Sequence, residues 1–186
     1  FNGMRGLHHR EPGMVGAGLV HPTAWLELIA DGHHVHPTVL KLCHRCAGDR
    51  LLLITDAMRA AGMPDGHYLL GDYRVEMKNG VVRTATGGLA GSTLTLLGAV
   101  RNMVHLAGVP LAEAIQMASL APARMLGIDD RLGSLAVGKR ANLLALTPAL
   151  YQQHIWVAGR EITPASAPAS FSEPDATQGA KESSCI

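Results

Sequence analysis

The chain has 186 residues, of which 47% are hydrophobic and 17% charged, and this apolar content excludes a wholly disordered protein. The formal net charge of +1 excludes the basic footprint of a nucleic-acid-binding domain, and no apolar run approaches the roughly 20 residues of a membrane-spanning helix. Three cysteines cannot form a complete set of disulfides, and the first residues carry no apolar signal segment. We therefore expect a cytoplasmic protein without nucleic-acid or membrane partners.

The first third of the chain is typical of a parallel βαβ unit. Residues 1–18, rich in glycine and histidine, predict an ordered loop, and the mostly apolar residues 25–30 predict a buried strand. Pro37 suits the first position of a helix that Gly48 ends, and residues 51–55 predict a second buried strand. Strands joined in this way usually pair in parallel and are covered on both faces.

The middle of the chain changes to short β-type segments and then to helices. Residues 67–84 predict antiparallel strands joined by turns, of which Asn79-Gly80 is the stronger signal. Ser92 suits the N-cap of a helix that runs to about residue 106. A second helix is predicted from about residue 111 to residue 126, with Leu111, Ile115, Ala118 and Met125 at helical spacing.

The end of the chain predicts a small β unit followed by a tail. Residues 133–146 predict two short strands around a turn, residues 155–157 predict another strand, and residues 163–186 predict a disordered tail. A closed (β/α)8 barrel needs about 250 residues. The residues alone therefore leave two architectures open: a small open α/β domain, or the C-terminal portion of a larger α/β fold.

Histidines are concentrated near the start of the chain, which suggests metal, phosphate or acid–base chemistry. Seven of the ten lie within the first 44 residues: His8, His9, His21, His33, His34, His36 and His44. Most are expected to be exposed loop residues. His34 differs, because it follows a predicted strand through Asp31-Gly32, and the carboxyl ends of parallel strands carry functional groups.

Asp56 is the sharpest candidate for chemistry. It follows the apolar residues 51–55 directly, where we expect a partly desolvated carboxylate with a pKa raised toward the range useful for proton transfer. The alternatives are a helix N-cap or a structural hydrogen bond to the following turn.

Two further groups of residues could bind an anion. Asn2-Gly3 and Arg10 offer backbone N–H groups and a guanidinium fork, the parts that hold a phosphate. Residues 89–92 offer backbone donors ahead of a helix N-terminus. Cys43 and Cys46 form a C-x-x-C pair, but a zinc site needs four ligands, so we interpret both as packing in the core.

Several motifs in order identify a family. The chain resembles the amino-sugar-6-phosphate deacetylases of the amidohydrolase superfamily from Phe1 to about Glu161. The matching segments are Phe1-Asn2-Gly3-Met4, Arg10-Glu11-Pro12-Gly13, residues 29–35 (IADGHHV), Ile54-Thr55-Asp56-Ala57, Leu89-Ala90-Gly91-Ser92, residues 121–127 (APARMLG) and residues 133–143 (GSLAVGKRANL).

The resemblance implies a fold and a domain organisation. The fold would be the C-terminal part of a metal-dependent (β/α)8 barrel with part of a small β-sandwich, usually in a homodimer. Residues 1–130 would belong to the barrel, with the β-hairpin insertion at residues 67–84. Residues 131–162 would belong to the sandwich, and residues 163–186 would form the tail.

The resemblance also implies the role of each site residue. Asp56 would be the general base and then the general acid in hydrolysis of the N-acetyl group of an amino-sugar 6-phosphate, in amino-sugar catabolism. The substrate-binding residues would be Asn2, Gly3, Arg10, Asp31, Gly32, His33, His34, Leu89, Ala90 and Gly91. Asn2, Gly3, His34 and Arg10 would bind the phosphate, and Arg10 would reach the site of a neighbouring subunit.

The chain departs from the family in its metal ligands. Family members hold a divalent metal, most often zinc, through a glutamate and two histidines in earlier strands, the last within a Thr-His-Leu triplet. This chain begins at Phe1, just past that triplet, so we expect it to be inactive alone. Two alternatives stay open: another amide hydrolase of the superfamily, or a truncated remnant without catalysis.

Overall fold

The computed structural model describes residues 1–162, and the predicted tail lies outside the described residues. The chain divides into two units, Phe1–Arg140 and a second that begins at Ala141. The assignment of residues 1–130 to a barrel portion remains a prediction. In the described part of the chain, no helix combines the length and the apolar character needed to cross a membrane.

The predicted βαβ unit is confirmed. Strands β1 (Leu26–Ile29) and β2 (Leu51–Ile54) pair in parallel, with Leu26 opposite Leu51. Helix α2 (Pro37–Ala47) crosses between them, and a 3-10 turn (Gly48–Arg50) leads into β2. Strand β2 is buried over its first three residues, whereas β1 is buried only at Leu28 and Ile29 and its Glu27 is exposed.

Helix α1 (Gly13–Val20) occupies a stretch that the sequence predicts as a loop, and the prediction is wrong there. Three of its eight residues are glycine, which disfavours a helix locally. Tertiary contacts override this preference, because Val15 and Leu19 are buried in the main core. Arg50 also donates to the carbonyls of Gly18, Leu19 and Ala24, at the helix end and just beyond it.

Three strands form an antiparallel meander, as predicted. They are β3 (Gly66–Leu70), β4 (Tyr73–Lys78) and β5 (Val81–Thr84), with β4 in the centre. Asn79 and Gly80 turn the chain with φ values of 51° and 73°, the left-handed pair that a tight hairpin turn requires. The buried residues of the meander, Val75, Met77 and Val82, form a small apolar cluster together with Met58, Ala60 and Ala90 from the segments before and after it.

Helix α3 (Leu96–Ala107) begins later than the sequence predicts. Its N-cap is Thr95, whose hydroxyl accepts a hydrogen bond from Gly98 N–H at 3.0 Å, so the expectation that Ser92 caps the helix is wrong. Gly108 ends the helix in the left-handed conformation. Ser92 instead lies in a buried connection between the meander and α3.

The second predicted helix is two helices, α4 (Leu111–Ala118) and α5 (Leu120–Met125). Pro122 explains the break, because it has no N–H to donate to the carbonyl four residues earlier. Of the residues at the predicted helical spacing, Leu111 and Ile115 are exposed and Ala118 packs partly buried against the main core, while Ala114 and Met117 are buried. Both short helices pack against β2.

The second unit contains β6 (Leu143–Leu146), β7 (Gln152–Val157) and β8 (Arg160–Ile162) in one antiparallel sheet. Residues 133–146 were expected to form two strands, but only the second is present. Lys139 gives a physical reason, because its ammonium group donates to the Asp129 and Leu132 carbonyls and to the Ser134 hydroxyl. These contacts hold the segment as a loop.

The two helix cysteines differ in environment. Cys43 lies on the buried face of α2 with Leu40 and Ala47, and burial raises the pKa of its thiol to about 11. Cys46 is exposed, so the expectation that both pack in the core is wrong for this residue. Six residues beyond Leu40, it points away from the apolar stripe of the helix.

Candidate active site

The segment after β1 forms a closed hydrogen-bonded loop. One carboxylate oxygen of Asp31 accepts the backbone N–H groups of His33 at 2.9 Å and of His34 at 2.8 Å. The other oxygen contacts His34 Nδ1 at 2.6 Å, and the side chains of His34 and Asp31 are only 5% and 11% exposed. The carboxylate thus fixes both the turn and the orientation of the imidazole ring.

The electrostatics of this pair favour an ionised carboxylate. Burial raises the pKa of Asp31, but the hydrogen bonds from His34 and His33 and the charge of His34 lower it further, so the net direction is downward. With the Nδ1 proton directed at Asp31, Nε2 is the ring nitrogen that remains for a ligand.

Helix α3 packs against the segment that follows β1. Asn102 donates from its side-chain amide to the carbonyl of Ala30 at 2.8 Å, directly before Asp31. A Cβ atom placed on Gly32 would lie 3.3 Å from the Leu106 side chain, so the turn sits close against the helix. Asn102 was not among the predicted residues, and no local motif marks it, since its partner lies 72 positions away in the chain.

Asp56 lies at the same edge of the sheet as Asp31. Ile29 and Ile54 are register partners in the parallel pair. Asp31 lies two positions after Ile29, and Asp56 lies two positions after Ile54. Asp56 has a φ of 49° and is exposed. The expectation of a partly desolvated carboxylate is therefore wrong for the described residues, in which β2 pairs with β1 alone.

Residues 89–91 run past the end of β2. Ala90 is buried and donates its N–H to the Val82 carbonyl at 3.1 Å. Gly91 has a φ of +66°, and a Cβ atom there would lie 3.2 Å from the Asp56 carbonyl oxygen. The expectation that residues 89–92 lie directly ahead of a helix N-terminus is wrong, because α3 begins at Leu96. Residues 89–91 lie instead directly beside Asp56.

The first ten residues place the remaining candidates in an exposed loop. Asn2, Gly3 and Arg10 are all exposed, while Phe1 is partly buried and packs against the main core. Within residues 1–162, no hydrogen bond joins the side chain of Arg10 to Asp56 or to the 31–34 segment. The structure thus brings the 31–34 segment, Asp56 and residues 89–91 to one end of the sheet and leaves Arg10 separate.

A metal site needs several His, Cys, Asp or Glu side chains that converge on one point. Among residues 1–162, no group of three or more His, Cys, Asp or Glu is arranged to hold a metal ion. The exposed His33 and the pair of His34 with Asp31 do not form such a group. The described residues therefore do not fit a divalent metal by themselves.

A cavity of about 230 Å³ lies at the opposite end of β2, beside Leu51. Its polar lining includes His44, whose Nε2 contacts a carboxylate oxygen of Glu113 at 2.7 Å, together with Asp49 and Arg124. None of the predicted site residues lines it. The cavity is thus separate from the end of the sheet that carries Asp56.

Comparison with known proteins places the chain in a defined family. Residues 4–175 match the model of the amidohydrolase family. An Escherichia coli K12 protein that carries the provisional name N-acetylgalactosamine-6-phosphate deacetylase is 66% identical over 160 residues, covering 86% of this chain and 96% of that protein. The N-acetylgalactosamine-6-phosphate deacetylase of E. coli O157:H7 is also 66% identical over 160 residues, but the match covers 42% of its length.

The chain is also similar to a solved structure of a deacetylase. A mutant N-acetyl-D-glucosamine-6-phosphate deacetylase from Mycobacterium smegmatis, in complex with N-acetyl-D-glucosamine-6-phosphate, superposes with a TM-score of 0.80 at 38% identity. The match covers 87% of this chain and 43% of that structure. The chain therefore spans nearly all of the K12 relative and less than half of the other two proteins.

Proposed function

The chain belongs to the amidohydrolase family and, within it, to the N-acetyl amino-sugar-6-phosphate deacetylases. From this premise, we propose that it supplies the phosphate-binding and proton-transferring residues for hydrolysis of an N-acetyl amino-sugar 6-phosphate. The products are the amino-sugar 6-phosphate and acetate. The observation that carries the proposal is the register of β1 and β2, which brings Asp56 to the same sheet edge as the 31–34 segment.

The proposed fold is the C-terminal part of a (β/α)8 barrel together with part of a small β-sandwich. The parallel β1–α2–β2 unit supports the first assignment, and the antiparallel strands β6 to β8 support the second. The proposed division is residues 1–130 for the barrel portion, with the insertion at residues 67–84, and residues 131–162 for the sandwich portion. Residues 163–186 would form the tail.

Asp56 is the proposed proton-transfer group. Its carboxylate accepts a proton as a water oxygen bonds to the acetyl carbonyl carbon, and the same proton goes to the amide nitrogen as the C–N bond breaks. Acetic acid and the amine leave, and transfer of the acid proton to the amine gives acetate and the ammonium form, so atoms and charge balance. The exposed position of Asp56 allows a substrate to reach it from solvent.

The proposed substrate-binding residues come from three segments of the chain. Asn2, Gly3, Arg10 and His34 would bind the phosphate, and residues 89–91 would cover the sugar. The carboxylate of Asp31 supports this role for His34, since it orients the ring and leaves Nε2 for the ligand. Asp31, Gly32 and His33 would line the pocket.

Members of the family are generally metal-dependent, and we propose zinc as the metal. It would generate a nucleophilic hydroxide near neutral pH and polarise the carbonyl. Because the described residues hold no suitable cluster, we propose that the ligands come from the part of the longer relatives that this chain does not match. The complete enzyme would be a cytoplasmic homodimer in which Arg10 reaches the partner's site.

A chimera tests this proposal. The remaining part of the E. coli O157:H7 deacetylase, joined ahead of Phe1, is expected to release acetate from N-acetylgalactosamine-6-phosphate or N-acetylglucosamine-6-phosphate when zinc is added. Asp56→Asn in the chimera should lower kcat at least about 100-fold, and Arg10→Ala should raise KM for the phosphorylated sugar. Full activity of Asp56→Asn would refute the assigned role, and robust turnover by the 186-residue chain alone would refute the division of ligands.

A further inference from the structure

Ser92 is a buried polar residue next to the proposed active site. It is 3% exposed, and within residues 1–162 it is the one polar or charged residue in the buried class. Its hydroxyl donates to the Thr55 carbonyl and accepts a hydrogen bond from Leu94 N–H at 3.1 Å. Both capacities of the hydroxyl are therefore used, and the Thr55 carbonyl at the end of β2 is held in place.

The backbone of Ser92 holds the next peptide group. Its N–H donates to the Asp56 carbonyl at 2.8 Å, and its carbonyl accepts from Met58 N–H at 2.9 Å. The peptide groups on both sides of the Asp56 Cα atom are thus bonded to the same residue. Fixing two successive peptide planes fixes φ and ψ between them, and with them the direction in which the Asp56 side chain leaves the backbone.

The conformation held in this way is an unusual one. Asp56 has a φ of 49°, in the left-handed region that residues with a side chain seldom occupy. Such a conformation persists where surrounding contacts determine it, and it is common at functional sites. Gly91 belongs to the same contact, because a Cβ atom there would lie 3.2 Å from both the Asp56 carbonyl oxygen and Met58 Cβ.

We propose that Ser92 is a positioning residue, which fixes the backbone of Asp56 and joins it to residues 89–91. This inference rests on the proposed function, in which Asp56 transfers the proton and residues 89–91 cover the sugar. Ser92 itself would not contact the reacting atoms, since it is buried and its hydroxyl is already bonded on both sides.

The kinetic test uses the active chimera. Ser92→Ala is expected to lower kcat by roughly 10- to 100-fold, because a carboxylate displaced by about 1 Å loses that much in proton transfer. KM should stay within about threefold, because the phosphate contacts come from other residues. Ser119→Ala is the matched control: it removes a serine-to-carbonyl hydrogen bond of 2.6 Å to Ile115 and should leave both constants unchanged.

Ser92→Cys separates positioning from packing. Cysteine fills nearly the same volume, but its thiol is a weak donor. If the hydrogen bond matters, Ser92→Cys keeps the low kcat of Ser92→Ala. Recovery of the original kcat in Ser92→Cys would assign Ser92 to packing alone and overturn the inference, as would an unchanged kcat in Ser92→Ala.

Hydrogen exchange tests the same inference without any activity. In the 186-residue chain, the Met58 amide should exchange at least about 10-fold faster in Ser92→Ala and Ser92→Cys, while the β1–β2 ladder keeps its protection. If the β1–β2 ladder also loses its protection in Ser92→Ala, the exchange rate of the Met58 amide in Ser92→Cys tests the inference. Unchanged protection of Met58 would refute the inference even if the chimera proves to be a deacetylase, and faster exchange supports it even if the chimera is inactive.

Discussion

Replacing Asp31 by Asn removes a negative charge while keeping the shape of the loop after β1. The oxygen that accepts from the backbone N–H groups of His33 and His34 is retained. The other oxygen, 2.6 Å from His34 Nδ1, becomes an amide nitrogen that can only donate. His34 must then give up its Nδ1 proton and carry the proton on Nε2.

The size of the effect follows from the bonds that change. Three hydrogen bonds to a carboxylate, each worth about 1.5–3 kcal/mol, become bonds to a neutral amide worth about 0.5–1.5 kcal/mol. The carboxylate also regains hydration on unfolding, and the three bonds share one acceptor group, so the full sum does not apply. We expect Asp31→Asn to lower the free energy of unfolding by about 1–2 kcal/mol at neutral pH.

The assay is urea unfolding of the 186-residue chain, with ¹⁵N spectra of the histidine rings to follow the tautomer. Glu113→Gln is the matched control, because His44 contacts Glu113 at a similar 2.7 Å but the glutamate side chain is 51% exposed. This variant should differ from the original chain by less than about 0.5 kcal/mol. An Asp31→Asn chain as stable as the original would refute the reasoning, as would an unchanged His34 tautomer.

The pH dependence has a definite sign. The folded pKa of Asp31 is lowered, so its ionised form stabilises the fold above the unfolded value of about 3.9. This contribution is lost as pH falls through the lower folded pKa. Asparagine does not titrate, so the stability difference between the two chains should shrink toward acid pH. A difference that grows below about pH 4 would contradict the direction of the shift.

Three further results are expected of the 186-residue chain. Arg50→Gln should lower Tm in a circular-dichroism melt, because three carbonyls lose a charged donor at about 1–3 kcal/mol in total; an unchanged Tm would count against it. Cys46 should be alkylated by iodoacetamide in the folded chain while Cys43 reacts only after unfolding, as peptide mass spectrometry would show. Asn102→Ala should leave the Ala30 carbonyl unpaired and cost about 1–2 kcal/mol in urea unfolding, and no loss would exclude that support.

Local sequence patterns predicted the elements that depend on local chemistry. The apolar runs of β1 and β2 and the amphipathic α2 between them predict a parallel unit, and Asn79-Gly80 predicts a hairpin turn. The position of Asp56 beyond a buried strand followed from the same pattern. Its exposure did not, because exposure depends on which strands lie beside β2.

Elements that depend on distant contacts were not predictable from local signals. Helix α1 is rich in glycine and is stabilised by Arg50, which lies about thirty residues later in the chain. Ser92 fits the pattern of an N-cap, but its hydroxyl bonds to Thr55, 37 positions earlier. The break before α5 is a different case, since Pro122 was visible in the sequence and should have ended the predicted helix.

The meander β3–β5 has an apolar cluster distinct from the main core of the first unit. Elements with separate cores can open independently, at a free energy below that of global unfolding. Residues 89–91 follow the last strand of this meander in the chain, and Ala90 belongs to the apolar cluster of the meander. A fluctuation that loosens the meander would therefore displace the segment proposed to cover the sugar while the βαβ unit stays intact, so the mobility of this segment and the overall stability depend on different sets of side chains.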